Sequence, residues 1–287
     1  MHNPLIAVTL GLAAALSIAF GTVIRHQLAD TVPDESGTFS GVIDVISRPR
    51  WWAGLGLALA GYGLQIAALA FGSLLLVQPL LVMKLMFTLP LSAHINGRRI
   101  SVEEGFWATV LTVSVGVLVI LGRPLPGASQ PPLKIWIPAL VVGAVVFFFM
   151  QRSADRMGNG ERTPKALTLG LATGLLYGYV AVLSKAVIDV GVHEGTVALL
   201  ISWQLWLLIA LALIGAGVQQ AAFNAGPLRT SLPAMSCGEP IIAFMLGYIV
   251  LGERFQVDGS GWYWLLLALI GMIVSTVYLS SDRTVKN

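Results

Sequence analysis

Long apolar runs alternate with short polar connections along almost the whole chain. Nine of these runs are near the length of about 20 residues that a helix needs to cross a hydrocarbon core about 30 Å thick. They cover residues 4–24, 51–71, 73–95, 105–122, 134–151, 166–189, 196–218, 227–250 and 260–279. Such uninterrupted runs exclude a transmembrane β-barrel, whose strands alternate over roughly 10 residues. The pattern therefore predicts an all-α, polytopic membrane protein with about nine transmembrane helices.

Two parts of the chain resemble each other at nearly constant offsets. Residues 61–79 and 215–233 share eight identities in 19 aligned positions at an offset of 154. Residues 11–30 and 170–189 match at an offset of 159, with small residues spaced by four on one helix face. Small side chains there let another helix approach closely. These small residues are Gly11, Ala15 and Ala19 in the first copy, and Gly170, Gly174 and Gly178 in the second.

The repetition divides the chain into three parts. A first four-helix repeat occupies 1–122, a connecting helix with its loops occupies 123–165, and a second four-helix repeat occupies 166–287. Because one helix joins the repeats, each helix of the second repeat should cross the membrane opposite to its counterpart. The sequence therefore predicts inverted repeats, which suit transport by alternating access. Ancestral duplication without transport is the alternative.

Basic residues indicate which side faces the cytoplasm. Twelve of the 17 lysines and arginines fall after odd-numbered helices, and three fall on the other side. Positively charged loops stay in the cytoplasm. The N-terminus is therefore predicted outside the plasma (inner) membrane, and the C-terminus on its cytoplasmic side. The longest connection is 25–50, and its middle, 39–46, fits an interfacial helix and a plain loop equally well.

Composition agrees with a membrane protein and excludes several other classes. Of the 287 residues, 56% are hydrophobic and 11% are charged, and the mean hydropathy is +0.82. Soluble domains lie far from these values. A single cysteine, Cys237, excludes a disulfide framework, and no nucleotide-binding, metalloprotease or catalytic-metal motif is present. We therefore expect no enzymatic activity, no metal, no cofactor and no nucleic-acid partner. The expected partners are a small-molecule or ion substrate and the lipid bilayer, and a homodimer is left open.

Motifs in both copies resemble a known transporter group. The second copy contains "AAFNAGPL" (221–228) followed by "PAMSCGEPIIAFMLGYIVLGERF" (233–255). This combination resembles the drug/metabolite transporter (EamA-like) superfamily. The first copy, "AALAFGSLLLVQPLLVMKLMFTLPL" (67–91), is most similar to the nine-helix branch that includes the NIPA-type proposed magnesium transporters. The resemblance implies a fold of inverted repeats and a transport function.

This chain departs from the superfamily pattern in two ways. The usual plan has ten helices, so one helix is missing from the first half. The first copy also ends in "INGRRI" (95–100) where the second has "VLGERF" (250–255), so the acidic residue of the motif occurs only once, as Glu253. The complete motif therefore cannot be transferred to the first copy.

Two charged residues are predicted near the membrane midplane. Lys84 lies near the middle of the third apolar run, and Glu239 lies near the middle of the eighth, almost at the symmetric position. A charge at the bilayer centre costs about 2.5–3.5 kcal/mol on insertion scales, so both should face the protein interior. They then form either a substrate or coupling-ion site, or a permanent ion pair that joins the halves.

Prolines and polar side chains accompany these charges. A proline removes one backbone donor within a helix, and transport sites often lie at interrupted helices. The residues predicted to break helices are Pro79 and Pro240. The polar residues predicted to complete the site are Gln65, Gln78, Gln219, Ser236 and Tyr177. Lys185 and Asp189, spaced by four, are instead expected to form a surface pair.

These observations predict a secondary active transporter. It would move a small metabolite or ion by alternating access, coupled to a proton or cation through Glu239. A dication usually needs several oxygen ligands, so one carboxylate beside a lysine does not by itself indicate magnesium. The alternatives are a flippase for a lipid-linked substrate and a non-transporting scaffold or accessory subunit.

Overall fold

The computed structural model describes residues 3–30, 49–95, 97, 99–128, 130–158, 161–226 and 228–280. The α-helices of this part of the chain are α1 (Pro4–Asp30), α2 (Pro49–Phe71), α3 (Leu74–Val82), α4 (Lys84–Ile95), α5 (Val102–Ile120), α6 (Leu133–Arg156), α7 (Arg162–Ile201), α8 (Trp203–Ala225), α9 (Leu228–Leu246) and α10 (Gly261–Ser280). A π-helical turn, Gly247–Leu251, follows α9. Two short strands, β1 (Pro124–Leu125) and β2 (Arg254–Phe255), pair in antiparallel fashion.

The described residues contain nine helical spans that are long and apolar enough to cross a membrane, as predicted. Helices α3 and α4 together form one of these spans. The predicted span 196–218 is displaced, because α8 begins only at Trp203. Gly195, with φ 89° and ψ 176°, is not helical, so α7 consists of two helices joined at a kink, and the second of them ends at Ile201. The Ser202 hydroxyl then accepts the Leu205 N–H and caps α8.

The predicted connection 25–50 is shorter than expected. Helix α1 continues to Asp30, and α2 begins at Pro49. The segment 39–46, for which the sequence left an interfacial helix open, lies outside the described residues.

Helix packing follows a similar pattern in the two halves. Helix α1 packs against α2 and against the α3–α4 span, and α7 packs against α8 and α9. The halves meet where α3 packs against α9 and where α5 packs against α10. Helix α6 joins the second half through α7, where the Tyr179 hydroxyl donates to the Ala139 carbonyl oxygen at 2.5 Å. The core therefore includes contacts between both halves.

Close contacts at glycines recur at matching positions. At each of these glycines an added Cβ would lie 2.6–3.1 Å from the partner side chain. The pairs are Gly11 with Leu80, Gly61 with Ile18 and Gly72 with Ala7 in the first half, and Gly170 with Ala234, Gly215 with Tyr177 and Gly226 with Ala166 in the second. The same offsets of 154 and 159 residues relate the two sets. The repeated sequence is therefore accompanied by repeated helix contacts.

The glycine face of α7 supports a first testable prediction. A Cβ on Gly174 would lie 2.9 Å from the Gly238 Cα, so backbone rather than a flexible side chain would have to move. We expect Gly174→Ala to lower the free energy of unfolding by about 1–3 kcal/mol through overpacking. A Cβ on Gly217 of α8 meets nothing within 4 Å, so Gly217→Ala is the matched control. Chemical unfolding in detergent measures both, and equal stability of the two variants would refute the close contact.

Candidate functional site

The third span has a local irregularity beside Lys84. Helix α3 contains Pro79 and ends at Val82, and α4 begins at Lys84. Met83 between them keeps right-handed helical angles (φ −59°, ψ −15°), and its N–H donates to the Leu80 and Leu81 carbonyl oxygens. Helix α9 differs, because it runs without interruption through Pro240. Membrane helices tolerate proline where neighbouring groups compensate for the lost hydrogen bond. The chain thus departs from a regular α-helix at Met83, four residues after Pro79, and α9 shows no such departure at Pro240.

A small cavity lies where this part of the third span faces α9. It encloses about 10 Å³, close to the space for one water molecule. We call it the central cavity. Its lining residues are Gln78, Leu81, Val82, Lys84, Leu85, Ser236, Glu239 and Pro240. The structure thus brings together four of the predicted polar site residues, from opposite halves of the chain, with one of the predicted prolines.

Polar groups around the central cavity are incompletely paired. The Gln78 side chain is 1% exposed, and its Nε2 has no hydrogen-bond partner among the residues that the structure describes. Lys84 and Glu239 are both half-buried. Among the described residues, no ion pair within 4 Å connects them. The permanent ion pair, which the sequence left open, is therefore not formed in this structure.

Three other predicted residues do not line this cavity. The Tyr177 hydroxyl donates to Gln219 Oε1 at 3.0 Å, and this pair joins α7 to α8. Tyr177 lies within electrostatic range of Glu239. Gln65 is half-buried on α2 and does not line the central cavity. Tyr177 and Gln219 thus form a neighbouring hydrogen-bonded pair, while Gln65 is separate.

A second cavity contains ionisable residues that sequence reasoning did not assign to the site. It encloses about 180 Å³, and we call it the charged cavity. Its lining residues are Pro126, Gly127, Ala128, Lys185, Asp189, His193, Leu251 and Glu253. They come from α7 and from the two segments that contain β1 and β2.

Lys185 and Asp189 are a buried pair, so the prediction of a surface pair is wrong. Lys185 Nζ lies 3.1 Å from Asp189 Oδ1, and the residues are only 5% and 8% exposed. Lys185 Nζ also donates to the Leu69 carbonyl oxygen, in the last turn of α2, at 2.7 Å. A cation is stabilised at that end because the carbonyl end of a helix carries partial negative charge.

Glu253 makes the complementary contact with the next helix. Its two carboxylate oxygens accept the Leu74 and Leu75 N–H groups, in the first turn of α3, at 2.7 and 2.8 Å. The side chain is fully buried. The N-terminus of a helix carries partial positive charge and favours an anion. Lys185 therefore contacts the end of α2, and Glu253 contacts the start of α3. We call this set of contacts at the α2–α3 corner the clamp.

A loop covers the charged cavity. The Ala128 N–H donates to the Leu251 carbonyl oxygen at 2.7 Å, and β1 pairs with β2. At Gly127 an added Cβ would lie 1.9 Å from the same carbonyl oxygen, so this position requires glycine. Gly252 has φ 70°, which directs the chain away from the π-helical turn and toward Glu253. Backbone geometry thus places the Glu253 carboxylate against α3.

Comparison with known proteins identifies a relative. An uncharacterized protein from Corynebacterium glutamicum is 52% identical over 285 residues, which cover 99% of this chain and 98% of the relative. The chain belongs to the same family. No protein-family model matches the chain, and no solved structure matches it. The comparisons therefore place the chain in a family without assigning an activity.

Burial affects the protonation of Glu253. This residue lies outside the membrane-spanning segment Thr230–Leu251, two residues beyond its end. The pKa of the Glu253 carboxyl is raised to about 7, because burial, with a smaller contribution from Asp189, outweighs the groups that lower it. The Leu74 and Leu75 N–H groups and Lys185 lower the pKa in part. His193 is the other ionisable residue of the charged cavity. The net result is a carboxyl group that binds a proton more tightly in the clamp than it would in water.

This pKa shift predicts a pH dependence of stability. The stabilisation from protonating Glu253 is fully present below its ordinary pKa of 4.5 and is lost as the pH rises through about 7. We therefore expect the thermal unfolding temperature of the purified protein to fall between about pH 5 and pH 8. In Glu253→Gln this fall should be largely absent. An identical pH profile for the two proteins would show that Glu253 does not titrate in this range.

Proposed function

We propose that this protein is a secondary active transporter that carries a small metabolite or ion across the plasma membrane. The observation that carries this proposal is the central cavity, because polar side chains from both halves line it. Lys84 and Gln78 come from the first half, and Glu239 and Ser236 come from the second. A cavity between two halves can open to either side when the halves move against each other.

Matched contacts support an inverted arrangement of the two four-helix repeats. The glycine contacts recur at the sequence offsets, and corresponding helices pack in the same way in each half. Two turns also match. Gly97 follows α4 with φ 64°, and Gly252 follows the π-helical turn with φ 70°. With one connecting helix, α6, between the repeats, equivalent helices would cross a bilayer in opposite directions.

The clamp supplies a contact that has to separate during such a cycle. It joins the α2–α3 corner of the first repeat to Lys185 and Glu253 of the second. With the N-terminus outside, the clamp lies at the external end of the helices. This conformation is then closed on the outside, and alternating access requires the clamp to open.

The central cavity suits an organic or monovalent solute better than a dication. It offers one carboxylate beside a lysine, whereas Ca²⁺ and Mg²⁺ usually need several oxygen ligands. We therefore use the resemblance to NIPA-type and other drug/metabolite transporters for the fold and the transport class. We do not propose magnesium as the solute. Coupling to a proton or cation through Glu239 belongs to the same proposal.

Flux measurements on purified protein in liposomes test this function. The solutes to compare are monovalent and divalent cations, small organic ions and amino acids, together with a fluorescent lipid phosphate for flipping. We expect saturable uptake of a water-soluble solute that Glu239→Gln abolishes. Lipid flipping without solute uptake would identify a flippase. The absence of both activities would favour a non-transporting scaffold.

A further inference from the structure

The central cavity presents donors on one side and an acceptor on the other. Gln78 and Lys84 belong to the third span, in the first half, and both offer N–H donors. Glu239 on α9 offers a carboxylate acceptor, with the Ser236 hydroxyl one helical turn away. The two opposite charges lie at one cavity without an ion pair between them. A bound solute would therefore meet a cationic side and an anionic side.

The Gln78 amide shows that the donor side lacks a partner. Its Nε2 is buried and makes no hydrogen bond within the described part of the chain, although buried polar groups in proteins are normally paired. An oxygen acceptor of a bound solute would satisfy this group, and Lys84 nearby would make that acceptor an anion. The unpaired amide is an observation independent of the two charges, and it points toward a ligand.

From this arrangement we propose that the central cavity binds a compact zwitterion, a small molecule that carries one carboxylate and one ammonium group. The solute carboxylate would accept from Gln78 and Lys84, and the ammonium would donate to Glu239. A simple anion would leave Glu239 unpaired, and a simple cation would leave Lys84 unpaired. This inference rests on the proposed transport function, because it names the solute class that the carrier would move.

Size and apolar lining restrict the solute further. The cavity holds about one water molecule in this closed conformation, so binding requires some separation of α3–α4 from α9. Leu81, Val82 and Leu85 supply the apolar part of the lining. This lining would suit a short aliphatic side chain on the zwitterion.

Three related probes test the charge requirement. L-alanine carries both groups, propionate is alanine without the ammonium group, and ethylamine is alanine without the carboxylate. Glycine and β-alanine vary the size and the separation of the two charges. Binding to the purified full-length protein is measured by calorimetry and by the shift in thermal unfolding. We expect at least one of the three zwitterions to bind saturably, and propionate and ethylamine to bind at least tenfold more weakly.

Variants distinguish the two sides of the cavity. Lys84→Met and Glu239→Gln should each weaken zwitterion binding at least tenfold. Lys134→Met and Glu161→Gln, at exposed positions, are the matched controls and should bind like the wild type. Binding of propionate or ethylamine as tight as that of the zwitterions would overturn the inference, as would wild-type binding by Lys84→Met.

The flux assay separates failure of this inference from failure of the transport proposal. If none of the three zwitterions binds but another soluble solute is carried with saturation, the inference is wrong and the carrier function stands. If there is neither zwitterion binding nor solute flux, both proposals are wrong.

Discussion

Replacing Lys185 with methionine should lower the free energy of unfolding by about 3–5 kcal/mol, because it removes one partner from a buried charged network. Asp189 and Glu253 would keep their places in the interior without the ammonium group that lies between α2 and α7. The Leu69 carbonyl oxygen would lose its bond to Lys185 Nζ. Chemical unfolding of the purified protein in detergent measures this loss.

Two variants make this result specific to the charge. Lys134→Met alters an exposed lysine and should change stability by no more than about 0.5 kcal/mol. Adding Asp189→Asn to Lys185→Met removes one of the stranded carboxylates and should recover part of the loss. Equal stability of Lys185→Met and Lys134→Met would mean that the clamp contributes little to the fold.

The double variant Lys84→Met with Glu239→Leu should fold and lose transport activity by at least about 100-fold. Both side chains are half-buried and form no ion pair with each other. Replacing them with apolar residues therefore breaks no ion pair between them, and the fold should be retained. The carrier proposal assigns both residues to the solute site, so removing them should eliminate the differential binding that drives transport. Solute flux in liposomes and thermal unfolding in detergent are measured on the same preparation.

The same double variant separates a carrier from a scaffold. A scaffold that needs only the folded bundle would keep its function after both charges are replaced. An exposed double variant, Lys134→Met with Glu161→Gln, controls for the loss of two charges and should transport like the wild type. Full transport by the Lys84 and Glu239 double variant would exclude these residues from the solute site.

Hydrophobic length predicted the nine spans well, because a helix that crosses a bilayer needs a fixed number of apolar residues. Helix ends were less predictable. The apolar run after Gly195 continues across Ile201, so hydropathy alone does not mark where α8 begins. A left-handed glycine and a serine cap decide that boundary, and both are features of local backbone geometry.

The sequence predicted the central cavity in part, because internal charge is rare and points inward. Lys84 and Glu239 do line one cavity, together with Gln78 and Ser236. The charged cavity was missed. Spacing by four showed that Lys185 and Asp189 could pair, but not that other helices cover their side of α7. The partners of Glu253 lie near residue 74, far away in the sequence, so its only signal was the unmatched acid of the "LGER" motif.

Cysteine accessibility tests the central claim most directly, since alternating access requires the central cavity to open to both sides. Cys237→Ala removes the single natural cysteine, and Ser236→Cys then introduces one at the cavity. Val142→Cys, on the exposed face of α6, is the control for a position facing lipid. A membrane-impermeant thiol reagent is applied to intact cells and to inside-out vesicles. We predict labelling of Ser236→Cys from both sides and no labelling of Val142→Cys, whereas labelling of Ser236→Cys from one side only, or from neither, would contradict alternating access.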